Sequence, residues 1–175
     1  MLIPCPACGA ENIEGADICE SCGAPLAELS VRAPQSSAEA SLMEDTVDRL
    51  DVRMHASVSP EATVGEVLKK MVDMAVGCVT IVDNKGRLAG IFSERDAVTR
   101  LGADTTDRRD QPIMKYMTPN PVTVDQHCRI ALALQQMDIG GYRHLPVLDR
   151  EGRPVMLVSI RDILRYLADR VGVAG

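Results

Sequence analysis

The sequence contains very few aromatic residues: there is no tryptophan, and Phe92 is the single phenylalanine among 175 residues. Because the chain is 46% hydrophobic, its core must be built from aliphatic side chains, and runs rich in valine and isoleucine favour strands. An excess of basic residues is also missing, since the formal net charge is −6, which argues against a general nucleic-acid-binding surface. No apolar run approaches the roughly 20 residues of a membrane-spanning helix, so we expect no membrane partner.

The sequence also lacks the features of a secreted protein and of an enzyme. Its first residues have neither the basic nor the apolar region of a signal peptide, so we expect a cytoplasmic protein with reduced thiols. It contains no Walker-type phosphate loop and no Ser–His–Asp order with a supporting motif, and its three histidines are scattered. We therefore expect that the chain is not an enzyme.

Two Cys-x-x-Cys pairs, separated by ten residues, lie near the N-terminus. In a reducing compartment this spacing is typical of a zinc-ribbon or rubredoxin-type knuckle, in which four thiolates hold a structural Zn²⁺. Gly9 and Gly23 follow the pairs, where the loop needs positive φ. We predict such a knuckle in residues 1–27, with iron as the alternative metal and a disulfide pair as a third interpretation. The predicted ligands are Cys5, Cys8, Cys19 and Cys22.

The remainder of the chain divides into a linker and a duplicated region. Residues 28–45 lack hydrophobic periodicity and are predicted to be a flexible linker. Beyond it, nine residues recur at an offset of 66 without a gap, from Val58 and Val124 to Asp96 and Asp162. A tandem duplication explains this register, with repeats at 46–110 and 111–175.

Each repeat follows the same β-α-β-β-α pattern, which predicts a mixed α/β (α+β) fold. In the first repeat, Thr63 and Glu66 have capping-box spacing ahead of a helical pattern. Strands Cys78–Val82 and Leu88–Phe92 enclose a glycine-containing turn, and a helix is predicted over Ser93–Leu101. The other predicted segments are extended residues 55–58 and 121–124, helices Ile130–Met137 and Ile160–Arg170, and strands His144–Leu148 and Val155–Val158.

Three segments carry a family pattern: Met117-Thr118-Pro119, Arg143-His144-Leu145-Pro146-Val147-Leu148-Asp149 and Gly90-Ile91-Phe92-Ser93-Glu94-Arg95-Asp96. Together they resemble the CBS domain, a family named after cystathionine β-synthase. The resemblance spans about residues 46–170 and implies two pseudo-symmetric repeats whose sheets pack together. It also implies two clefts that bind AMP, ADP, ATP or a related adenosyl ligand, and a homodimer formed through the CBS pair.

The nucleotide signature of this family is complete in the first repeat, as Gly90, Ser93 and Asp96. The carboxylate of Asp96 is expected to accept hydrogen bonds from both ribose hydroxyls, and Ser93 with the following helix start is expected to favour a phosphate. Gly90 is expected to let the ligand approach the backbone closely. Ser-x-x-Asp at a helix start is also an N-cap arrangement, so the structural interpretation stays open beside the functional one.

The second repeat keeps Ser159 and Asp162, but Met156 replaces the glycine. The added bulk is expected to narrow this cleft, so a ligand should prefer the first. Arg95, Arg143 and Arg161 are candidate phosphate ligands or simply solvated residues, and Tyr142 and His144 are candidates to flank an adenine ring. The other residues assigned to the predicted nucleotide sites are Ser57, Val58, Gly77, Cys78, Val79, Thr123, Val124, Leu145 and Pro146, of which Val79 and Leu145 are expected to be core residues first.

Three functional hypotheses follow. The first is a ligand sensor whose CBS pair binds an adenosyl compound and whose zinc knuckle reports the change to a client protein. The second is a nucleic-acid-binding transcriptional regulator dimerised by the CBS pair, which is disfavoured because residues 1–27 contain no lysine or arginine. The third is a structural dimerisation module with empty clefts, for which the bulk of Met156 is the best support.

Overall fold

The fold was analysed in a computed structural model that describes residues 2–5, 10–21, 23–24, 26, 36–52 and 55–172. At the N-terminus, strands β1 (Leu2–Pro4) and β2 (Glu11–Ile13) form an antiparallel pair in which Leu2 lies opposite Ile13. This small sheet carries the first cysteine at its edge. Cys5 directly follows β1.

Part of the expected linker is helical. Helix α1 spans Ser37–Glu44, and the Ser36 hydroxyl caps it by accepting from the Glu39 N–H. The expectation of a flexible linker over residues 28–45 therefore does not hold for 36–45, while 28–35 lie outside the described residues. A short 3₁₀ turn, Val47–Arg49, follows.

The first repeat forms a four-stranded sheet in the order β3-β4-β5-β6. The β3–β4 pair is parallel, whereas β4–β5 and β5–β6 are antiparallel. Helix α2 (Val64–Asp73) connects β3 to β4 and starts with the predicted capping box, which the hydrogen bonds of Thr63 and Glu66 confirm. The strands are β3 (Ala56–Val58), β4 (Cys78–Val82), β5 (Leu88–Ser93) and β6 (Thr118–Pro119).

The helix predicted over Ser93–Leu101 is irregular. Residues Glu94–Asp96 form a single α-helical turn, α3, which continues as a π-helical turn over Ala97–Leu101. Gly102 then adopts φ +54°, a conformation that favours glycine, and two short 3₁₀ turns follow at Gly102–Thr105 and Ile113–Lys115.

The second repeat contains a three-stranded sheet in the order β7-β8-β9. The predicted strand His144–Leu148 and helix Ile160–Arg170 are confirmed at the predicted bounds. The helix predicted over Ile130–Met137 extends further, to Gly140. The elements are β7 (Val124–Asp125), α4 (Ile130–Gly140), β8 (His144–Leu148), β9 (Pro154–Ser159) and α5 (Ile160–Arg170).

The hairpin turns of the two repeats show the duplication in three dimensions. The Asp83 carboxylate accepts from the Arg87 N–H at 2.8 Å, and the Asp149 carboxylate accepts from the Arg153 N–H at 2.8 Å. The glycines within these turns adopt φ +77° and +78°. Two turns with the same side-chain and backbone hydrogen bonds support the ungapped register read from the sequence.

By its internal contacts the chain separates into two compact units. One comprises Met1–Val52, Val124–Leu145 and Val158–Gly175, and the other comprises Arg53–Thr123 and Pro146–Leu157. In the second unit, α2 and the four-stranded sheet share an aliphatic core that includes Phe92. Among the described residues, no helix has the length and apolar character needed to cross a membrane.

Gly90 is required by the contact between β5 and β6. It lies opposite Pro119 in the strand pair, and a Cβ atom at this position would lie 2.7 Å from Met117 Sδ and 2.8 Å from the Thr118 carbonyl oxygen. The backbone oxygen cannot move without shifting β6. The space beside Gly90 is thus filled by the chain itself.

Gly90→Ala should destabilise the protein by about 1–3 kcal/mol, because the added methyl group overpacks a backbone contact. The matched control is Gly65→Ala within α2, where the new Cβ would lie 2.9 Å from Arg109 Cγ and 3.4 Å from the Arg109 carbonyl oxygen. There, alanine's better helix propensity, about 1 kcal/mol, should offset the small shift of Arg109, so this variant should lose less stability than Gly90→Ala. Urea unfolding measures both variants, and equal stability of the two would contradict this role of Gly90.

Candidate nucleotide-binding and metal-binding sites

The Asp96 carboxylate lies at the turn between β5 and α3 and is largely buried. Its Oδ2 atom accepts from the Ser93 N–H at 2.9 Å and from the Ser93 hydroxyl at 2.6 Å. The Ser93 Oγ in turn accepts from the Asp96 N–H at 3.3 Å. The structure therefore contains the helix-cap arrangement that the sequence left open, and this arrangement uses one of the two carboxylate oxygens.

The other carboxylate oxygen of Asp96 also has donors within the chain. Oδ1 lies 3.1 Å from Arg100 Nε and accepts from the Thr118 hydroxyl at 3.3 Å. The same guanidinium donates to the carbonyl oxygens of Tyr116 and Met117. Arg100 thereby connects the predicted ribose-binding carboxylate to the segment that leads into β6.

The second repeat reproduces this arrangement. Asp162 Oδ2 accepts from the N–H and the hydroxyl of Ser159 at 2.8 and 2.5 Å, and Oδ1 lies 3.3 Å from Arg165 Nη1. Arg165 also donates to the Asp51 carbonyl oxygen at 3.2 Å. Asp51 and Met117 are 66 residues apart, which is the repeat offset, so both arginines bind the carbonyl at equivalent positions.

Each Ser–Asp turn is hydrogen-bonded to the residue that directly precedes the first strand of the hairpin, β4 or β8. The Glu94 N–H donates to the Gly77 carbonyl oxygen at 3.0 Å, and the Ile160 N–H donates to the Arg143 carbonyl oxygen at 3.0 Å. These pairs are again related by the offset of 66. The structure therefore places the predicted residues Gly77 and Arg143 directly beside the two turns.

Cys78 and Ser57 also lie near the first turn. Cys78 pairs with Ser93 in the sheet and is buried; burial, followed by the charge of Asp96, raises the pKa of its thiol to about 12. The Ser57 hydroxyl is hydrogen-bonded to the Thr80 hydroxyl at 2.8 Å, and its carbonyl oxygen accepts from Lys70 Nζ at 2.7 Å. These contacts make Cys78 a core residue and Ser57 a strand residue whose hydroxyl is bonded within the chain.

The remaining predicted residues differ in exposure. Val79 and Leu145 are fully buried, which confirms that they are core residues first. Burial raises the pKa of Tyr142, whose side chain is half-buried. The exposed residues are Arg95, Arg143 and Arg161; the half-buried ones are Val58, Thr123, Val124 and His144; and Pro146 is buried.

The structure changes the interpretation of Gly90 and Met156. Gly90 was expected to leave room for a ligand, but Met117 and Thr118 occupy that space. The preference of a ligand for the first cleft over the second stays a prediction. Met156, at the matching position, is half-buried in β9.

Sequence reasoning missed Arg100, Arg165 and Thr118. A signal for the two arginines was present, because Arg100 follows Asp96 by four residues and Arg165 follows Asp162 by three. Opposite charges at these spacings face each other on a helix. No comparable local signal pointed to Thr118, which reaches Asp96 from another strand.

Residues 1–27, called the N-terminal module below, contain two segments of the same sequence pattern, Cys-x-x-Cys-Gly-Ala. The Cys5 N–H donates to the Ala10 carbonyl oxygen at 2.7 Å, and the Cys19 N–H donates to the Ala24 carbonyl oxygen at 2.7 Å. Both cysteines are buried, and Gly23 has the expected positive φ of +71°. Cys8 and Cys22, the other two predicted ligands, lie outside the described residues.

A buried asparagine joins these two loops. Asn12 donates to the Ala10 carbonyl oxygen at 2.7 Å and accepts from the Glu20 N–H at 3.2 Å. Within the described part of the chain, no group of three or more His, Cys, Asp or Glu side chains is arranged to hold a metal ion. Since that part contains half of the predicted ligands, the four-cysteine site stays a prediction, and the two joined loops fit it.

Known proteins resemble this chain in sequence and fold. A protein of 17.7 kDa from Acidianus ambivalens is 36% identical over 112 residues, which are 64% of this chain and 66% of that protein. A CBS domain-containing protein of Arabidopsis thaliana is 30% identical over 73% of this chain, which spans 23% of the plant protein. The structure of a CBS domain protein from Pyrobaculum aerophilum complexed with AMP matches with a TM-score of 0.61 and 28% identity, covering 71% of this chain and 99% of that one.

The family model described as "CBS domain" matches twice, at residues 47–103 and 113–169. Together the two ranges cover more than half of the chain, and each contains one copy of the Ser–x–x–Asp turn. The chain therefore belongs to the CBS domain family and contains a tandem pair of these domains.

Proposed function

We propose that the chain is a regulatory module that binds an adenine nucleotide or related adenosyl ligand and passes the resulting change to a partner protein. The observation that carries this proposal is the presence of two equivalent buried carboxylates, Asp96 and Asp162, at the turns of the family signature. The AMP complex of the similar Pyrobaculum aerophilum protein supports the class of ligand.

The chemistry of these turns suits a ribose. A carboxylate accepts two hydrogen bonds from a vicinal diol, and hydrogen bonds to a charged group contribute about 1.5–3 kcal/mol. Arg100, which contacts Asp96 Oδ1 and is 40% exposed on its side chain, is also bonded to the carbonyl oxygens of Tyr116 and Met117, so its charge lies beside this carboxylate. Oδ2 accepts from both the N–H and the hydroxyl of Ser93, so the second ribose hydroxyl would take the place of the Ser93 hydroxyl at this oxygen.

The two cysteine thiols of the CBS pair are poorly suited to nucleophilic catalysis. Burial raises the pKa of both Cys78 and Cys128 to about 12, so neither is a thiolate nucleophile at neutral pH. We assign no catalytic step to the chain.

Helix α5 offers a route from the second site to α1, which precedes the first repeat in the chain. It begins with the Ser159–Asp162 turn, and farther along it contacts the segment that follows α1. The Tyr166 hydroxyl donates to the Asp45 carboxylate, and Arg170 Nη2 lies 2.9 Å from the same carboxylate. A ligand that moves α5 would therefore move this segment.

We call Tyr166, Asp45 and Arg170 the Tyr166 cluster. The Arg170 guanidinium stacks 3.5 Å from the centre of the Tyr166 ring. The hydrogen bond from Tyr166 lowers the pKa of Asp45, while burial, followed by the hydrogen bond to Asp45, raises the pKa of Tyr166 to about 12. The cluster therefore holds an ionised Asp45 and a neutral Tyr166 together at neutral pH.

We further propose that the module forms a homodimer and works in the cytoplasm. Ile139 on α4 and Leu164 on α5 are 72% and 65% exposed, which provides apolar surface for a second copy. A reducing cytoplasm would keep the N-terminal cysteines available to a metal.

The N-terminal module is proposed to hold one structural Zn²⁺ through Cys5, Cys8, Cys19 and Cys22. Two loops with the same hydrogen bond, joined by buried Asn12, support one shared centre. Bound zinc would supply folding energy to a module too small for a core of its own.

The ligand proposal predicts that AMP binding depends on the two carboxylates. Asp96→Asn or Asp162→Asn should weaken AMP about tenfold at the site that is used, because the neutral amide has lost the charge and one acceptor. Asp83→Asn, in an exposed hairpin turn, is the control and should leave the affinity unchanged. Isothermal titration calorimetry measures all three, and unchanged AMP affinity in both site variants would rule out these carboxylates as the ribose site.

The proposed route through α5 predicts that Tyr166→Phe loosens α1. The variant loses hydrogen bonds to Asp45 and the Ser41 carbonyl, about 1 kcal/mol, so amides of α1 should exchange hydrogen roughly fivefold faster. Saturating AMP should change α1 exchange in the wild-type protein and not in this variant. Tyr116→Phe, which loses only the hydrogen bond from its hydroxyl to Gln111, is the matched control, and an AMP effect that persists in Tyr166→Phe would exclude this route.

The zinc proposal predicts about one equivalent of metal per chain after purification without added metal. Cys19→Ala should lose the metal, whereas Cys78→Ala, at a buried cysteine of the first repeat, should retain it. Elemental analysis by mass spectrometry counts the metal and separates zinc from iron. Less than about half an equivalent in the reduced wild-type protein would refute the site.

A further inference from the structure

Arg100 and Arg165 make the same contact from different helical positions. We call the contact of Arg100 with Asp96 and the Met117 carbonyl, and that of Arg165 with Asp162 and the Asp51 carbonyl, the arginine bridges. At the repeat offset of 66, Arg100 would correspond to Tyr166 and Arg165 to Thr99. Two non-equivalent positions thus place a guanidinium at an equivalent carboxylate oxygen, which sequence duplication alone does not explain.

Each arginine bridge places a positive guanidinium beside the carboxylate that is proposed to bind ribose. The Asp96 and Asp162 side chains are 11% and 9% exposed, and in each case the guanidinium of the bridge lies at Oδ1. A ribose diol that binds either carboxylate competes with the guanidinium for Oδ1. A guanidinium moved off Oδ1 stays beside the site through its bond to the chain, at the Met117 carbonyl for Arg100 and at the Asp51 carbonyl for Arg165. An anion on the same ligand would then restore the charge pairing.

A phosphate group on the same ligand supplies that anion. Guanidinium and phosphate form strong, forked hydrogen bonds, so a nucleotide compensates for the contact that its own ribose breaks. Uncharged adenosine offers no such replacement. We propose that Arg100 and Arg165 make the two sites selective for adenosyl ligands that carry a phosphate.

This inference rests on the proposed function, and it differs from the assignment read from the sequence. There, the candidate phosphate ligands are Arg95, Arg143 and Arg161, and Arg95 and Arg161 each directly precede a carboxylate residue. All three are exposed, and none of them belongs to the arginine bridges. The two assignments can therefore be separated by substitution.

The test compares AMP with adenosine, which share base and ribose and differ only in the phosphate. Calorimetric titration of the full chain should give wild-type protein at least about a tenfold preference for AMP. In the double variant Arg100→Gln/Arg165→Gln the preference should fall to within about threefold, with adenosine binding unchanged or tighter because its competitor is gone. The matched double control, Arg95→Gln/Arg161→Gln, should keep the wild-type preference.

The outcomes separate this inference from the proposed function. If wild-type protein binds neither AMP nor adenosine nor S-adenosylmethionine, the proposed function fails and this inference with it. If AMP binds but the preference survives in Arg100→Gln/Arg165→Gln, or is lost in Arg95→Gln/Arg161→Gln, only the inference is overturned. Should the glutamine variants not fold, the double variant Arg100→Lys/Arg165→Lys replaces them. Because lysine retains the positive charge, this variant should keep the preference for AMP over adenosine, and loss of that preference would refute the inference.

Discussion

A buried carboxylate that must find its donors inside the chain organises each repeat. Asp96 accepts from the N–H and hydroxyl of Ser93, from Arg100 and from Thr118, and these groups come from β5, the helical turn after it and β6. An ionised carboxylate loses its hydration on burial, and without such donors the folded state would not tolerate it. The same requirement fixes the turn geometry that a ribose could use, so stability and the candidate site share one set of atoms.

The second carboxylate extends this constraint to the N-terminal part of the chain. Arg165 donates to the carbonyl oxygen of Asp51, while Tyr166 and Arg170 bind the Asp45 carboxylate. Three side chains of α5 therefore hold the segment that follows α1, from Asp45 to Asp51. The Val47 N–H adds a bond to the Cys128 carbonyl just before α4. This explains why residues ahead of the first repeat belong to the same compact unit as the helices of the second.

Local patterns predicted most of the secondary structure correctly. The capping box of Thr63 and Glu66, the strand His144–Leu148 and the helix Ile160–Arg170 all depend on residues within a few positions of one another. Helix α1 was not predicted, because it contains no buried residue and therefore lacks the periodic spacing of apolar residues that indicates an amphipathic helix. A helix of eight residues has little stability of its own in water, so tertiary contacts such as that of Asp45 are what hold it.

The sequence by itself determined the duplication, the two-strand hairpins and the position of each Ser–x–x–Asp turn, because all of these follow from short-range spacing and a constant offset. Only the tertiary structure decided which groups surround the carboxylates and what fills the space beside Gly90. Arg100 reaches a carbonyl 16 residues away and Arg165 one that is 114 residues away. Such partners are brought together by the packing of distant segments, and no local pattern of residues contains that information.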